Sequence, residues 1–390
     1  MIKKYLIIVL SLIIAIAINT IFWISGTDIA ELYKSLLKEE IPEAVPEEVT
    51  PTIEIEPDIE ENDKVIPKVT NPRENSDDFQ AGITFFLYEA EINEMHKITE
   101  MLDYLVQMNI NSISLTFPIF QEDWKASKLY IDEKLTPSNE NLRLITQEAH
   151  NRQFTVLLRP ILYEKTLLPD RHWRGSIQPI DVELWFESYT KIILDYAKLA
   201  QEEDIEILSI GVELNSLEHR INDWEKMIEE IREIYSGQLT YSQNWDVFGR
   251  NNLEFWNKLD FIGVDAFFPL QVGSDATLEE LVEAWEPWIK AMNYLKEIED
   301  KPIVLTEVGT MSQSGSFRAP WRWEHGTPID LEAQANYYKA TCIASKETVN
   351  GIYWWNIGLD FPENSQQSSS FNPIGKPAED VIIECFSKPN

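Results

Sequence analysis

From Ala81 to the C-terminal end, short β-rich runs alternate with longer amphipathic helical stretches, and this alternation constrains the fold more than any other feature. The strand candidates are Gly82–Tyr88, Ser112–Phe117, Phe154–Leu158, Ile207–Val212, Leu239–Gln243, Phe261–Ala266, Ile303–Thr306 and Gly351–Trp355. Between them lie helical patterns. Leu184 to Ala200 carries apolar residues at Trp185, Ile192, Ile193, Tyr196, Ala197 and Leu199, and Leu278 to Ile298 is a second such stretch. Regular strand–helix alternation predicts an α/β protein with a parallel sheet. Eight units within residues 81–390 fit a (β/α)8 TIM barrel better than an open doubly wound sheet. With 13 Trp, 14 Tyr and 17 Phe, the chain has ample apolar surface to fill such a core. No strand is followed by a Gly-rich phosphate loop, and neither GxGxxG nor a P-loop occurs, so nucleotide cofactors lose support.

The segment before the barrel has a different character. Lys3 and Lys4 precede an apolar run from Tyr5 to Ile24, interrupted only by Ser11, Asn19 and Thr20. At about 1.5 Å per helical residue it spans roughly 30 Å, enough for a bilayer core. It exceeds the ~7–15 apolar residues of a secretory signal. Ala15-Ile16-Ala17 lies inside the run and not after it, and no Cys is present there to carry a lipid. Residues 1–25 therefore read as an uncleaved signal anchor, a transmembrane helix with the Lys pair cytoplasmic and the rest extracellular. The alternative is secretion after signal cleavage. Residues 26–80 hold 16 acidic and 5 basic residues and six prolines without sustained apolar periodicity, the composition of a disordered acidic stalk. Asp28 to Lys38 has the pattern of a short helix leaving the membrane.

Charge and metal-ligand patterns exclude several function classes. The chain has 33 basic and 66 acidic residues, a net charge of −33, which argues against nucleic acid as a partner. Its five His form neither HExxH nor a Cys/His cluster, so neither a metal nor any other cofactor is expected. Cys342 lies in the helix before the last strand and Cys385 in the terminal segment. A bridge between them and a pair of free buried thiols both fit.

In a (β/α)8 barrel the chemistry sits at the carboxyl ends of the strands. Two acidic side chains stand there on otherwise apolar runs: Glu213 after Ile207–Val212, and Glu307 after Ile303–Thr306. Burying a carboxyl on such a strand is costly unless it has partners or a task. One such residue is as readily a helix cap or a salt-bridge partner of Arg159. Two on the fourth and seventh strands suit glycoside hydrolysis, in which one carboxyl protonates the leaving oxygen and the other attacks the anomeric carbon.

With these residues in view, the sequence resembles glycoside hydrolase family 113, within the large clan of retaining (β/α)8 glycosidases whose acid/base and nucleophile are glutamates on strands four and seven. The segments that carry the resemblance are Ser209–Leu214, Ile262–Pro269, Leu305–Gly309, Gly351–Trp355 and Phe371–Glu379. It runs from about Gly82 to the C-terminal end. By this resemblance Glu213 is the acid/base, Glu307 the nucleophile, and the expected activity that of an endo-β-1,4-mannanase. Val212 stands where many clan members carry an Asn that binds the sugar 2-hydroxyl; Asn215 and Asn244 are the candidates to replace it. Phe267 and Phe268 occupy the region from which a Tyr or His often orients the nucleophile.

Further substrate-binding candidates follow from position. Arg159 closes the third strand before Pro160, where it either keeps the nucleophile ionised or makes a structural salt bridge. Asp265 ends the sixth strand and either binds a sugar hydroxyl or caps a loop. Asn244 and Trp245 end the fifth strand, and Trp355 and Asn356 end the eighth. Loop tryptophans offer flat faces to sugar C–H groups, which makes Trp124, Trp173, Trp321 and Trp323 possible platforms, whereas Trp185, Trp224, Trp285 and Trp288 read as core. Residues 81–390 carry 50 acidic and 26 basic residues, so a neutral polysaccharide suits the domain better than a uronate polymer. Two other readings stay open: action on a different cell-envelope or plant β-glycan, and a barrel that binds carbohydrate without cleaving it.

Overall fold

The computed structural model describes residues 79–89, 95–250, 253–359 and 365–387. The expected anchor at 1–25 and nearly all of the expected stalk at 26–80 lie outside them. Among the described residues no helix is long and apolar enough to cross a membrane.

All eight expected strands form. They are β1 (Gln80–Phe86), β2 (Ser112–Gln121), β3 (Thr155–Leu162), β4 (Ile207–Val212), β5 (Gln238–Asn244), β6 (Phe261–Asp265), β7 (Ile303–Val308) and β8 (Gly351–Ile357). Each pairs in parallel with the next, and β8 pairs back onto β1, so the sheet closes into a (β/α)8 barrel. Nearly every strand residue is buried, because helices cover the outside and side chains fill the inside. This is why the strands read as apolar runs without alternation. Leu157, Ile207, Phe261, Val304 and Tyr353, from five different strands, form a separate cluster of their own.

The outer layer consists of α1 (Met95–Gln107), α2 (Asn139–Asn151), α3 (Val182–Glu202), α4 (Ile221–Arg232), α5 (Leu278–Ala284), α6 (Glu286–Glu299), α7 (Leu331–Ser345) and α8 (Pro377–Phe386). Asp181 caps α3 by accepting from the Leu184 amide, and Thr277 and Glu280 form a reciprocal capping box on α5. The expected helix from Leu278 to Ile298 is two helices. Trp285 ends α5, and Pro287 in the first turn of α6 starts a new one, since proline has no amide to continue the ladder. Between β5 and β6 a 3-10 turn, Glu254–Lys258, takes the place of a helix. Trp185, Trp224 and Trp285 are fully buried, and Trp288 stacks on Phe268 at 4.2 Å. A Cys342–Cys385 disulfide joins α7 to α8, with Cα atoms 6.0 Å apart.

The third strand differs from expectation. It does not stop at Arg159 but runs through Pro160 to Leu162, with Pro160 opposite Phe117 of β2. A proline costs a parallel ladder one donor, and the seven other residues of β3 keep the strand in register. Arg159 therefore points from mid-strand into the barrel and not from its rim.

Candidate active site

Glu213 is the first residue beyond β4, and its backbone lies in the left-handed region, with φ 52°. A non-glycine residue there is strained and persists only where its surroundings hold it. They do so by hydrogen bonds. The Glu213 amide donates to Ser242 O at 2.9 Å and the Leu214 amide to the Tyr241 hydroxyl at 2.9 Å, which itself donates to Glu218 Oε1 at 3.2 Å. Gly211, two residues earlier, lets Tyr241 close in, since a Cβ there would sit 2.9 Å from its ring. The register between β4 and β5 is irregular between Ser209 and Val212, immediately before Glu213.

Glu307 lies on β7 opposite Asp265 of β6. Arg159 crosses from β3 to meet both. Its Nη1 donates to Glu307 Oε1, its Nη2 to Asp265 Oδ2 at 2.7 Å, and its Nε to Ser242 Oγ at 3.4 Å. Thr306 Oγ1 donates to the other Asp265 oxygen at 2.8 Å. Arg159 and Asp265 are each 0% exposed. Neither can touch a sugar, which corrects the expectation that they bind substrate: Arg159 holds Glu307, and Asp265 holds Arg159.

A second arginine, which the sequence reading did not single out, holds Glu213. Arg174 comes from the irregular segment after β3, which is built from three consecutive 3-10 turns between Glu164 and Ser176. Gly175 lets the Trp173 indole fold over this segment, because a Cβ there would meet the ring at 2.3 Å. Arg174 Nη1 donates to Glu213 Oε2, its Nη2 pairs with Glu164 Oε1 at 3.3 Å, and its Nε donates to Leu162 O at 3.0 Å.

Glu213 and Glu307 face one cavity of about 430 Å³ at the carboxyl ends of the strands, a volume typical of a small-molecule site. Trp173, Trp245, Trp321, Trp323, Trp355, Phe267 and Phe371 wall it, with Asn244 and Asp246 among its polar groups. Of the expected binding residues, Asn244, Trp245 and Trp355 line this cavity. Trp245 stacks on Trp321 with ring centres 4.5 Å apart. Two others are not in place. Trp124 stacks on His172 at 3.8 Å with Lys125 over its ring, outside the cavity lining. Asn215 turns its Nδ2 to Asp246 Oδ1 at 2.9 Å and does not line the cavity either. Of the two, Asn244 is the one that lines the cavity. Phe267 lines the cavity without a side-chain polar atom, and it is Arg159 of β3 that contacts Glu307.

Burial pushes the Glu213 carboxyl up to about 7, with Arg174 acting against it. Burial likewise raises Glu307 and Asp265, opposed by Arg159. Both guanidiniums stay charged despite burial because carboxylates face them. Two guanidiniums meet four carboxyl groups (Glu164, Glu213, Asp265 and Glu307). Full ionisation would leave uncompensated negative charge at the site, and Glu213, Asp265 and Glu307 accordingly hold protons more tightly than free carboxyls. Among the described residues no group of His, Cys, Asp and Glu is arranged to hold a metal ion.

A closed (β/α)8 barrel with two glutamates at the ends of strands four and seven, facing an aromatic-walled cavity, has the architecture of a glycosidase barrel. The family model of Glycoside Hydrolase Family 113 matches residues 86–376. The chain belongs to that family and is a glycoside hydrolase. Among solved structures it is similar to the GH113 β-mannanase AaManA from Alicyclobacillus acidocaldarius in complex with ManMIm, with 24% identity over 79% of this chain and 97% of that one and a TM-score of 0.71. A GH113 β-1,4-mannanase structure is 22% identical over 79% of this chain and 99% of that one, also with a TM-score of 0.71. A family 5 mannosidase from Rhizomucor miehei shares the fold at 12% identity, over 79% of this chain and 92% of that one, with a TM-score of 0.52. No curated protein sequence matches the chain.

Proposed function

We propose that this protein is a retaining endo-β-1,4-mannanase. The observation that carries the reading is the convergence of Glu213 and Glu307 on one cavity walled by tryptophans. In the first step Glu307 attacks the anomeric carbon while protonated Glu213 gives its proton to the departing glycosidic oxygen. In the second, Glu213, now a carboxylate, takes a proton from the water that cleaves the glycosyl ester, so the β configuration is retained. Arg159 keeps a negative oxygen of Glu307 available for attack. When the ester forms and that charge disappears, Asp265 still compensates the buried guanidinium. The tryptophan faces suit the C–H faces of pyranose rings. Family membership and the mannanases among similar structures favour β-mannan, and the acidic domain favours a neutral polymer.

The apolar run from Tyr5 to Ile24 and the acidic segment after it support display of the barrel outside the cell on a membrane tether. Recovery of the intact N-terminus in the membrane fraction, with the barrel released by external protease, is the expected result.

The test is a panel of β-mannan, glucomannan, cellulose, xylan and β-galactan, with reducing ends and product lengths followed over time. Mixed mannan oligosaccharides early in the reaction are expected. Release from another polymer alone overturns the mannan assignment, release of single sugars only overturns endo action, and silence on every polymer overturns the enzymatic reading.

A further inference from the structure

Each catalytic glutamate in the proposed reaction faces an arginine that also holds a second carboxylate. Arg159 bridges Glu307 and Asp265, and Arg174 bridges Glu213 and Glu164. The two bridges are built alike, but only the first lies on strands. Arg174 does not depend on Glu213 for its position. Its Nε is tied to Leu162 O, its backbone amide donates to Glu164 Oε1 at 3.4 Å, and its side chain is only 16% exposed. A guanidinium fixed there requires a negative neighbour at every stage, since it cannot lose its proton. Glu213, however, must be neutral before the first step and charged after it.

We propose that Glu164 is the reserve counterion of the acid/base: it keeps Arg174 paired whenever Glu213 is protonated, so that Glu213 can change charge without stranding a guanidinium inside the barrel. This rests on the reading of Glu213 as acid/base and makes Glu164 a positioning residue acting through Arg174. The other charged groups facing Glu213 are Arg159 from β3, Asp265 from β6 and Glu307 from β7, while Asp246 beyond β5 lines the same cavity and the Tyr241–Glu218 pair lies beneath the strand end. Glu164 raises the proton affinity of Glu213 and Arg174 lowers it.

The two partners therefore act with opposite sign, and the test uses that. In the full chain, Glu164→Gln should move the alkaline limb of the kcat/KM profile down by about one pH unit. Arg174→Met should move it up by a similar amount, Arg174→Lys should return it toward the parent, and the double variant should lie between the single ones. The same shifts should appear in a carbon-13 titration of the Glu213 carboxyl, assigned by its loss in Glu213→Gln. That readout needs no turnover, so it decides the proposal even if every glycan proves inert and the functional reading falls. Limbs and titrations that stay in place, or that move the same way in Glu164→Gln and Arg174→Met, overturn the proposal.

Discussion

Replacing Glu213 with Gln should make the protein more stable in alkaline solution while removing its activity. The Glu213 carboxyl is displaced from its ordinary 4.5 to about 7, first by burial. At about 1.4 kcal/mol for each tenfold change in proton affinity, that displacement is worth about 3 kcal/mol. The sign follows from where each state holds the proton. Below pH 4.5 both folded and unfolded chains keep it, and the site costs nothing extra. Between 4.5 and 7 the unfolded chain ionises while the folded one does not, so stability falls as pH rises. Above 7 the folded chain has ionised too and the full cost of about 3 kcal/mol is present. Gln resembles the protonated form and avoids the cost, and Arg174 retains Glu164 as its partner. Urea denaturation of parent and variant at pH 4.5, 6 and 8 should give coincident curves at the lowest pH and a gap of about 3 kcal/mol in favour of Gln at the highest. By heat the gap should be roughly 4 °C for a chain of this size. A difference that does not vary with pH, or a variant less stable than the parent at pH 8, refutes the placement of a strained, desolvated acid at this strand end.

Three other outcomes are expected. Arg159→Met leaves Glu307 and Asp265 buried without their shared cation, which should cost about 3–5 kcal/mol in chemical denaturation and abolish measurable kcat. Trp245→Ala removes one of the two stacked rings at the cavity wall, and KM for oligosaccharides should rise roughly tenfold while kcat holds, since a stacking face binds ground state and transition state alike. The Cys342–Cys385 bridge closes a loop with a sequence separation of 43, so Cys342→Ser or reduction should lower stability by up to about 4 kcal/mol on loop-closure grounds. A denaturation midpoint indifferent to reductant would contradict it.

The barrel could be read from the chain because parallel strands buried on both faces must be apolar throughout, and runs such as Ile207–Val212 announce themselves. Glu213 and Glu307 were legible for the same reason: an acid adjoining such a run is conspicuous. Arg174 and Glu164 were not, because they sit on consecutive 3-10 turns whose side chains follow neither a period of 2 nor of 3.6. The only signal was a cluster of aromatic and charged residues, His172-Trp173-Arg174, in a loop at the catalytic end. The pairing of Arg159 with the strand-seven glutamate is legible from its strand position, but direct contact of Arg159 or Asp265 with a sugar is not what the structure shows, since sequence gives strand position and not depth and neither residue has exposed surface. The loop tryptophans divide for a similar reason. Trp321 reaches the cavity, while Trp124 finds His172 and Lys125 first, a local contact that no spacing rule anticipates.

The claim that two glutamates share one reaction is tested most directly by trapping its intermediate. Incubation with a 2-deoxy-2-fluoro-β-mannosyl donor carrying a good leaving group, followed by proteolysis and mass spectrometry, should place a single fluoromannosyl ester on Glu307, with labelling slowed in Arg159→Met and no ester in Glu307→Gln. An ester on Glu213 or any other residue, or turnover whose first-formed sugar is the α anomer, would contradict the account.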